Sequence, residues 1–296
     1  MKTIDVQVCS KSTPWQGQGI GDVIQMLPVI AGVQAANQDA KVRAVVCEYN
    51  MPWALLGCQH VVDSRSAYQK GDVELWPHRD VLETDLQCIA RNTNRQALWA
   101  ANLGVLPVPV VPRISASESQ RADELVADNG ASGKPLAWVA PYAAIPARTW
   151  ARRRWAEVVA GLQDAGCVVL GMQCHYDPPA IRWLGCSVLQ PDGAAELSAA
   201  LLSRGSLFIG NDSGLTHLAG WMGIPSIAVC GMTTGRVVFG CYPSVWTLED
   251  TMDCKGCIGR PAKGWRPWCS ASCDALDSIQ ARDLLELAAR LLHKWR

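Results

Sequence analysis

Short apolar runs alternate with helix-period segments along the whole chain, and few architectures accept that rhythm. In the first half, Ile4 to Val8, Val42 to Cys47 and Val61-Val62 read as buried strands. In the second half, Leu136 to Ala140, Val168 to Leu170, Leu207 to Ile209 and Ser226 to Val229 do the same. Helical patterns lie between them. Val23, Ile24, Leu27 and Ile30 mark one helix face, and a longer helix is predicted from about Thr84 to Leu103, closed by Gly104. Further helices are predicted near Trp155 to Asp164, Ala194 to Ser203 and Ser213 to Met222, with Gly166 and Gly205 closing the first two. Strands that alternate with helices imply an α/β protein with parallel sheets. Pro28 removes one hydrogen bond from the first helix and is expected to kink it.

One stretch interrupts the rhythm. Leu106-Pro107-Val108-Pro109-Val110-Val111-Pro112 carries three prolines that can neither pair as a central strand nor continue a helix. It reads as an interdomain linker, since a fresh α/β series follows it. At 296 residues, 49% of them hydrophobic, the chain can build two cores. The expected division is a first domain over 1–112, with the linker at about 106–112, and a second over 113–276. A final segment, 277–296, repeats Leu at 284, 285, 287, 291 and 292 and predicts an amphipathic C-terminal helix.

Two strand-to-helix junctions could carry chemistry. In the second half, Ser206 to Ile209 runs into Gly210-Asn211-Asp212-Ser213-Gly214-Leu215-Thr216-His217, with a helix opening at Asp212 or Ser213. Such a turn aims backbone N–H groups and the positive end of a helix dipole at one point, which suits an anion such as phosphate. Gly214 allows close approach. Asn, Asp and Ser here also fit plain helix caps. Near the N-terminus lies Gly19-Ile20-Gly21-Asp22-Val23-Ile24, a Gly-Asp turn entering a helix.

Together these junctions resemble the signatures of glycosyltransferase family nine, the bacterial heptosyltransferases. The Gly-Asp-Val turn at Gly21 to Val23 and the run Asn211 to Gly214 with His217, Leu218 and Ala219 carry the likeness. Between them, Arg148-Thr149-Trp150 followed by Arg154-Trp155-Ala156-Glu157-Val158 is similar to the family's Lys-x-Trp segment leading into a helix. The resemblance spans nearly the whole chain. It implies the GT-B fold, two Rossmann-like parallel-sheet domains facing a central cleft, in which the C-terminal helix packs back across the domains. It also implies inverting transfer of a sugar, best heptose on ADP, from a nucleotide-diphosphate donor to a hydroxyl of a glycan such as a lipopolysaccharide core, or of a protein. No catalytic metal is expected.

The resemblance distributes the roles. Asp22 would take the acceptor's proton, although an acidic residue in a helix's first turn also serves the dipole. Asp212, Ser213, Gly214 and Leu215 would hold the donor's phosphates, stabilising the charge of the departing diphosphate. His217 would add a donor to them, or else bond a neighbouring carbonyl. Arg148 stands where the family usually has Lys; it keeps the charge and changes the geometry from a point to a fork. At least two of Arg152, Arg153 and Arg154 read as a solvated first turn. Gly19 and Gly21 belong to the acceptor-side loop, as does Trp15, which is suited to stack on a sugar or to pack on the sheet. The loop from Ser10 to Gly21 is longer than the family's usual turn. The adenine and ribose contacts are unassigned, with Gly171 to His175 a place to look.

Thirteen cysteines include two close pairs, Cys254 with Cys257 and Cys269 with Cys273, separated by eleven residues. Four thiolates so spaced can surround one structural metal, and Gly256, Gly259, Pro261, Gly264 and Pro267 leave the loop over 253–274 little core of its own. Autotransporter heptosyltransferases resemble this arrangement with bound iron; zinc, free thiols and disulfides remain alternatives. A formal net charge of zero argues against a bulk nucleic-acid partner. No apolar run is long enough for a transmembrane span, and Met1 to Val6 reads as a strand rather than a secretory signal, so a cytoplasmic protein is expected, with peripheral membrane association left open. The oligomeric state is not legible. Two rival readings stand beside the transferase: a GT-B nucleotide-sugar epimerase or hydrolase, and a degenerate scaffold or sugar-binding protein.

Overall fold

The computed structural model describes residues 1–8, 19–64, 70–77, 81–143, 148–173, 184–191, 194–249 and 274–293. The chain divides into two compact units, Met1–Arg113 with Arg236–Cys241, and Ile114–Gly235 with Tyr242–Arg296. Among the described residues, no helix is long and apolar enough to cross a membrane.

In the first unit the elements run β1 (Lys2–Gln7), α1 (Ile20–Ala36), β2 (Ala40–Val46), α2 (Met51–Leu55), β3 (Val61–Asp63), β4 (Val73–Leu75), α3 (Val81–Ala90) and α4 (Arg95–Leu103). The sheet is parallel, in the order β3-β2-β1-β4, with Ile4 opposite both Val42 and Val73. The strand order therefore reverses at β1. Helix α1 is apolar on almost every side and buries Val23, Ile24, Met26, Leu27, Val29, Ile30 and Val33. Pro28 lies inside it, and its carbonyl accepts a hydrogen bond from Val108 N–H at 2.9 Å. The proline-rich stretch thus lies along α1. Gly32 permits the approach, since a Cβ there would stand 2.2 Å from the Leu106 carbonyl oxygen.

The single helix predicted over 84–103 is two helices. Asn92 adopts φ +54°, a left-handed turn that Asn tolerates, and Asn94 caps α4 by accepting from Ala97 N–H at 2.9 Å. Apolar periodicity continues across the break, which is why the pattern conceals it. Gly104, at φ +66°, ends α4 as expected.

The second unit contains α5 (Ala116–Asp128), β5 (Leu136–Ala140), α6 (Arg152–Asp164), β6 (Val168–Met172), β7 (Ser187–Leu189), α7 (Ala195–Leu202), β8 (Leu207–Asn211), α8 (Gly214–Trp221) and β9 (Ser226–Cys230). Helix α9 (Gly235–Phe239) lies, but for its first residue, in the segment Arg236–Cys241, which groups with the first unit rather than with the span 113–276. In that unit the Arg236 guanidinium donates to the Thr93 carbonyl at 3.4 Å. The chain then resumes with β10 (Val245–Glu249), α10 (Asp274–Asp277) and α11 (Ala281–His293). The sheet is again wholly parallel, ordered β10-β9-β8-β5-β6-β7, and its order reverses between β8 and β5.

The C-terminal helix α11 packs on α6 inside its own unit. Leu284, Leu287, Ala288 and Leu291 join the core built on Trp150, Trp155, Val158 and Leu162. Gly161 makes that contact close, because a Cβ there would meet Leu285 Cδ1 at 2.6 Å. The two glycines that close helices do so for different reasons. Gly166 has φ +85°, whereas Gly205 has no positive φ and is small because a Cβ would strike Trp138 Cδ1 at 2.5 Å.

Candidate active site

In open parallel sheets, ligands bind beyond the carboxyl ends of the strands where the strand order reverses. Both junctions singled out in the sequence lie at such points, one in each unit.

In the first unit, α1 follows β1 and starts at Ile20, with Gly19 as its cap and Gly21 buried in its first turn. Asp22 occupies the third helical position. Its Oδ2 accepts from the Gly19 N–H at 3.2 Å, so the carboxylate serves the helix start. Its Oδ1 accepts from Arg95 Nη1 at 3.0 Å. Arg95 in turn grips Asp85 with both arms, Nε to Oδ1 at 2.7 Å and Nη2 to Oδ2 at 2.8 Å. Side-chain exposure rises along this chain of contacts, from 2% at Asp85 through 6% at Arg95 to 13% at Asp22. The pattern of the sequence points to Asp22 alone. A cue to its partner exists, since Arg95 follows a capping Asn at a helix start, where a cation opposes the dipole.

In the second unit, β8 delivers Asn211 and Asp212, and α8 opens at Gly214 with Ser213 as its cap residue. No side chain caps this helix. A helix start of this kind offers backbone N–H groups and the positive end of the dipole to an anion. Thr216 Oγ1 donates back to the Asn211 carbonyl at 2.5 Å and fixes the turn from within.

Asn211 is fully buried and ties the turn to the neighbouring loop. Its Nδ2 donates to the Pro141 carbonyl at 2.7 Å, and its Oδ1 accepts from the Trp150 N–H at 3.1 Å. That loop carries Arg148, whose Nε lies 3.4 Å from Asp212 Oδ2 without the alignment of a hydrogen bond. The Thr233 hydroxyl, fully buried, donates to the same Oδ2 at 2.6 Å. His217 Nε2 stands 3.9 Å from Asp212 Oδ1 and packs edge-on to the Tyr242 ring. The structure thus brings Arg148, Asp212, Ser213, Gly214, Leu215 and His217 into one corner. Asp212 holds the cation of that corner in place, and Arg148 remains one-fifth exposed. Thr233, in the turn after β9, is a member that the motif does not reveal.

The three-arginine run resolves into two kinds. Arg152 and Arg153 are exposed, while Arg154 is buried and donates to the carbonyls of Leu276, Asp277 and Ile279. It therefore latches the segment before α11 onto α6. Trp150 adds a bond from Nε1 to the Ile279 carbonyl at 3.3 Å. Of Gly171 to His175, residues 171–173 end β6 and the stretch after it, with Gln173 buried; 174 and 175 lie outside the described residues. Trp15 also lies outside them, as do Cys254, Cys257, Cys269 and Cys273.

The profile of glycosyltransferase family 9 (heptosyltransferase) matches residues 83–260, more than half of the chain. Among solved structures, a glycosyltransferase family 9 protein from Veillonella parvula is similar with a TM-score of 0.74 at 17% identity, covering 99% of this chain and 97% of that one. The ADP-heptose lipopolysaccharide heptosyltransferase II of E. coli aligns with a TM-score of 0.69 at 14% identity, over 99% of both chains. The iron-containing dodecameric glycosyltransferase TibC of enterotoxigenic E. coli gives 0.70 at 16% identity, covering all of this chain and 77% of its own. At these identities the likeness establishes the fold, two parallel α/β sheets as in GT-B heptosyltransferases. No curated protein sequence matches significantly.

Proposed function

The chain belongs to glycosyltransferase family 9 and is a glycosyltransferase, and on that premise we propose that it moves heptose from ADP-heptose to a hydroxyl group with inversion at the anomeric carbon. The acceptor is a glycan, such as a lipopolysaccharide core sugar, or a protein side chain. In this reading the acceptor's oxygen attacks C1 as its proton passes to Asp22, and the bond from C1 to the diphosphate breaks. The charge that collects on the leaving ADP meets the first-turn amides of α8, the Arg148 guanidinium and His217. The observation that carries the reading is the second-unit corner: an uncapped helix start at Ser213 and Gly214 with Arg148 beside it, at the reversal between β5 and β8. An ADP-heptose complex of TibC supports the choice of donor.

The reading includes a structural metal on Cys254, Cys257, Cys269 and Cys273, iron or zinc. Its support is the spacing of the four thiols and the iron of TibC. It would tie down a loop and enter no chemical step.

The deciding experiment replaces Asp22 by Asn and follows acceptor-dependent release of ADP from ADP-heptose. The amide is nearly isosteric but accepts no proton, so kcat is expected to fall about a hundredfold or more with donor binding kept. Turnover within a few-fold of the unaltered enzyme would remove Asp22 as the base.

A further inference from the structure

We propose that Arg95 and Asp85 are positioning residues for Asp22, holding its carboxylate in one orientation, with Asp85 as a counter-charge to the Arg95 guanidinium. The proposal rests on Asp22 being the base. Three helices supply the group: α1 gives Asp22, α3 gives Asp85 and α4 gives Arg95. The break between α3 and α4 brings the last two together, ten residues apart in sequence.

A single guanidinium 3.0 Å from Asp22 would orient it but would also set a positive charge beside the group that must take a proton. Asp85 offsets that effect. Its carboxylate takes two arms of the Arg95 fork, and its negative charge opposes that of the guanidinium. The burial gradient runs the right way. The deepest carboxylate is the one paired twice, and the most exposed is the one that would meet an acceptor.

Asp22 is fixed at both oxygens, by Arg95 on Oδ1 and by Gly19 on Oδ2, and each oxygen keeps a second lone pair. When the acceptor's O–H bond breaks and a proton bonds to Asp22, the carboxyl becomes neutral. What remains beside it is a neutral Arg95–Asp85 pair. Cys88 on α3 feels the charges of Asp85, Arg95, Arg236 and Arg91, in falling order. That thiol is pushed up to about 11 by burial first and by Asp85 second, and so contributes no charge near neutral pH.

A merely structural role would make Arg95 and Asp85 a pin between α3 and α4, with Asp22 a bystander. The carboxylate's own spectrum separates the two. In the full chain carrying carboxyl-13C aspartate, the Asp22 signal is identified by its loss in Asp22→Asn. In Arg95→Gln, which removes the bond to Oδ1, and in Asp85→Asn, which loosens the fork that makes it, that signal is expected to move or broaden at neutral pH. An unchanged Asp22 signal in either folded variant overturns the proposal, and a lower melting temperature alone is what a pin would show. No substrate enters this measurement. Transfer surviving in Asp22→Asn would therefore defeat the catalytic reading separately. With transfer assayed, Asp85→Asn should lower kcat and leave the KM for ADP-heptose unchanged.

Discussion

Asn211 links the anion-binding turn to the loop that carries Arg148, and replacing it by Leu should damage both stability and donor binding. Leu has the same number of side-chain heavy atoms, so the change removes hydrogen bonds with little change of volume. Two buried backbone groups lose their partner, the Trp150 N–H at 3.1 Å and the Pro141 carbonyl at 2.7 Å. Each orphaned group costs about 1–3 kcal/mol, and the greater hydrophobicity of Leu returns part of it, so a net loss of about 3 kcal/mol is expected. For a unit of this size that is a fall of roughly 6–12 °C in melting temperature. Trp150 lies two residues after Arg148, and freeing its N–H loosens the loop that sets the guanidinium beside Asp212. The rise in melting temperature on adding ADP should therefore shrink in Asn211→Leu. A control separates this from general weakening: Ser226→Ala removes a buried bond to the Ile224 carbonyl at the amino end of β9, away from the turn. It should lower stability by about 1 kcal/mol while the ADP response stays whole. An Asn211→Leu protein that melts within about 2 °C of the parent and binds ADP equally would refute the argument.

Gly214→Val should abolish the ADP-induced rise in melting temperature while the protein still folds, because a branched side chain would crowd the first-turn amides of α8; equal ADP affinity would count against that site. Elemental analysis of protein made without an affinity tag should find one metal atom per chain, released by acid because protons compete for the thiolates. A content near zero, with four freely reactive thiols, would remove the metal. Cys88 and Cys186 are each pushed up to about 11, burial being the main cause for both. Their native thiols should react slowly with Ellman's reagent at pH 8. Because the unfolded chain ionises them nearer 9, the stability they contribute is complete below that pH and lost between about 9 and 11. Denaturant melts at pH 8 and pH 10.5 check the direction.

The sequence by itself determined the α/β class, most strands and the two junctions, because each depends on a local cause. A buried parallel strand has to be continuously apolar, as Leu136 to Ala140 and Leu207 to Ile209 are. A helix that receives an anion needs small residues at its start, as at Ser213 and Gly214. The short strands Ser187–Leu189 and Val245–Glu249 escaped because at the sheet's edges they are only partly buried and carry no such run. The division of one predicted helix at Asn92 escaped for the opposite reason, since the apolar spacing runs on through the break. Pairwise chemistry between distant residues was decided only by the tertiary structure. The spacing from Asp22 to Arg95, from Asp212 to Thr233, or from Trp150 to Asn211 has no period that a pattern could register. These contacts exist because strand order places the end of β8 beside those of β5 and β9, and because α4 packs on both α1 and α3. The run of arginines shows the limit most plainly. Arg152, Arg153 and Arg154 are identical in the sequence, and only the fold puts two in solvent and closes the third over the carbonyls of Leu276, Asp277 and Ile279.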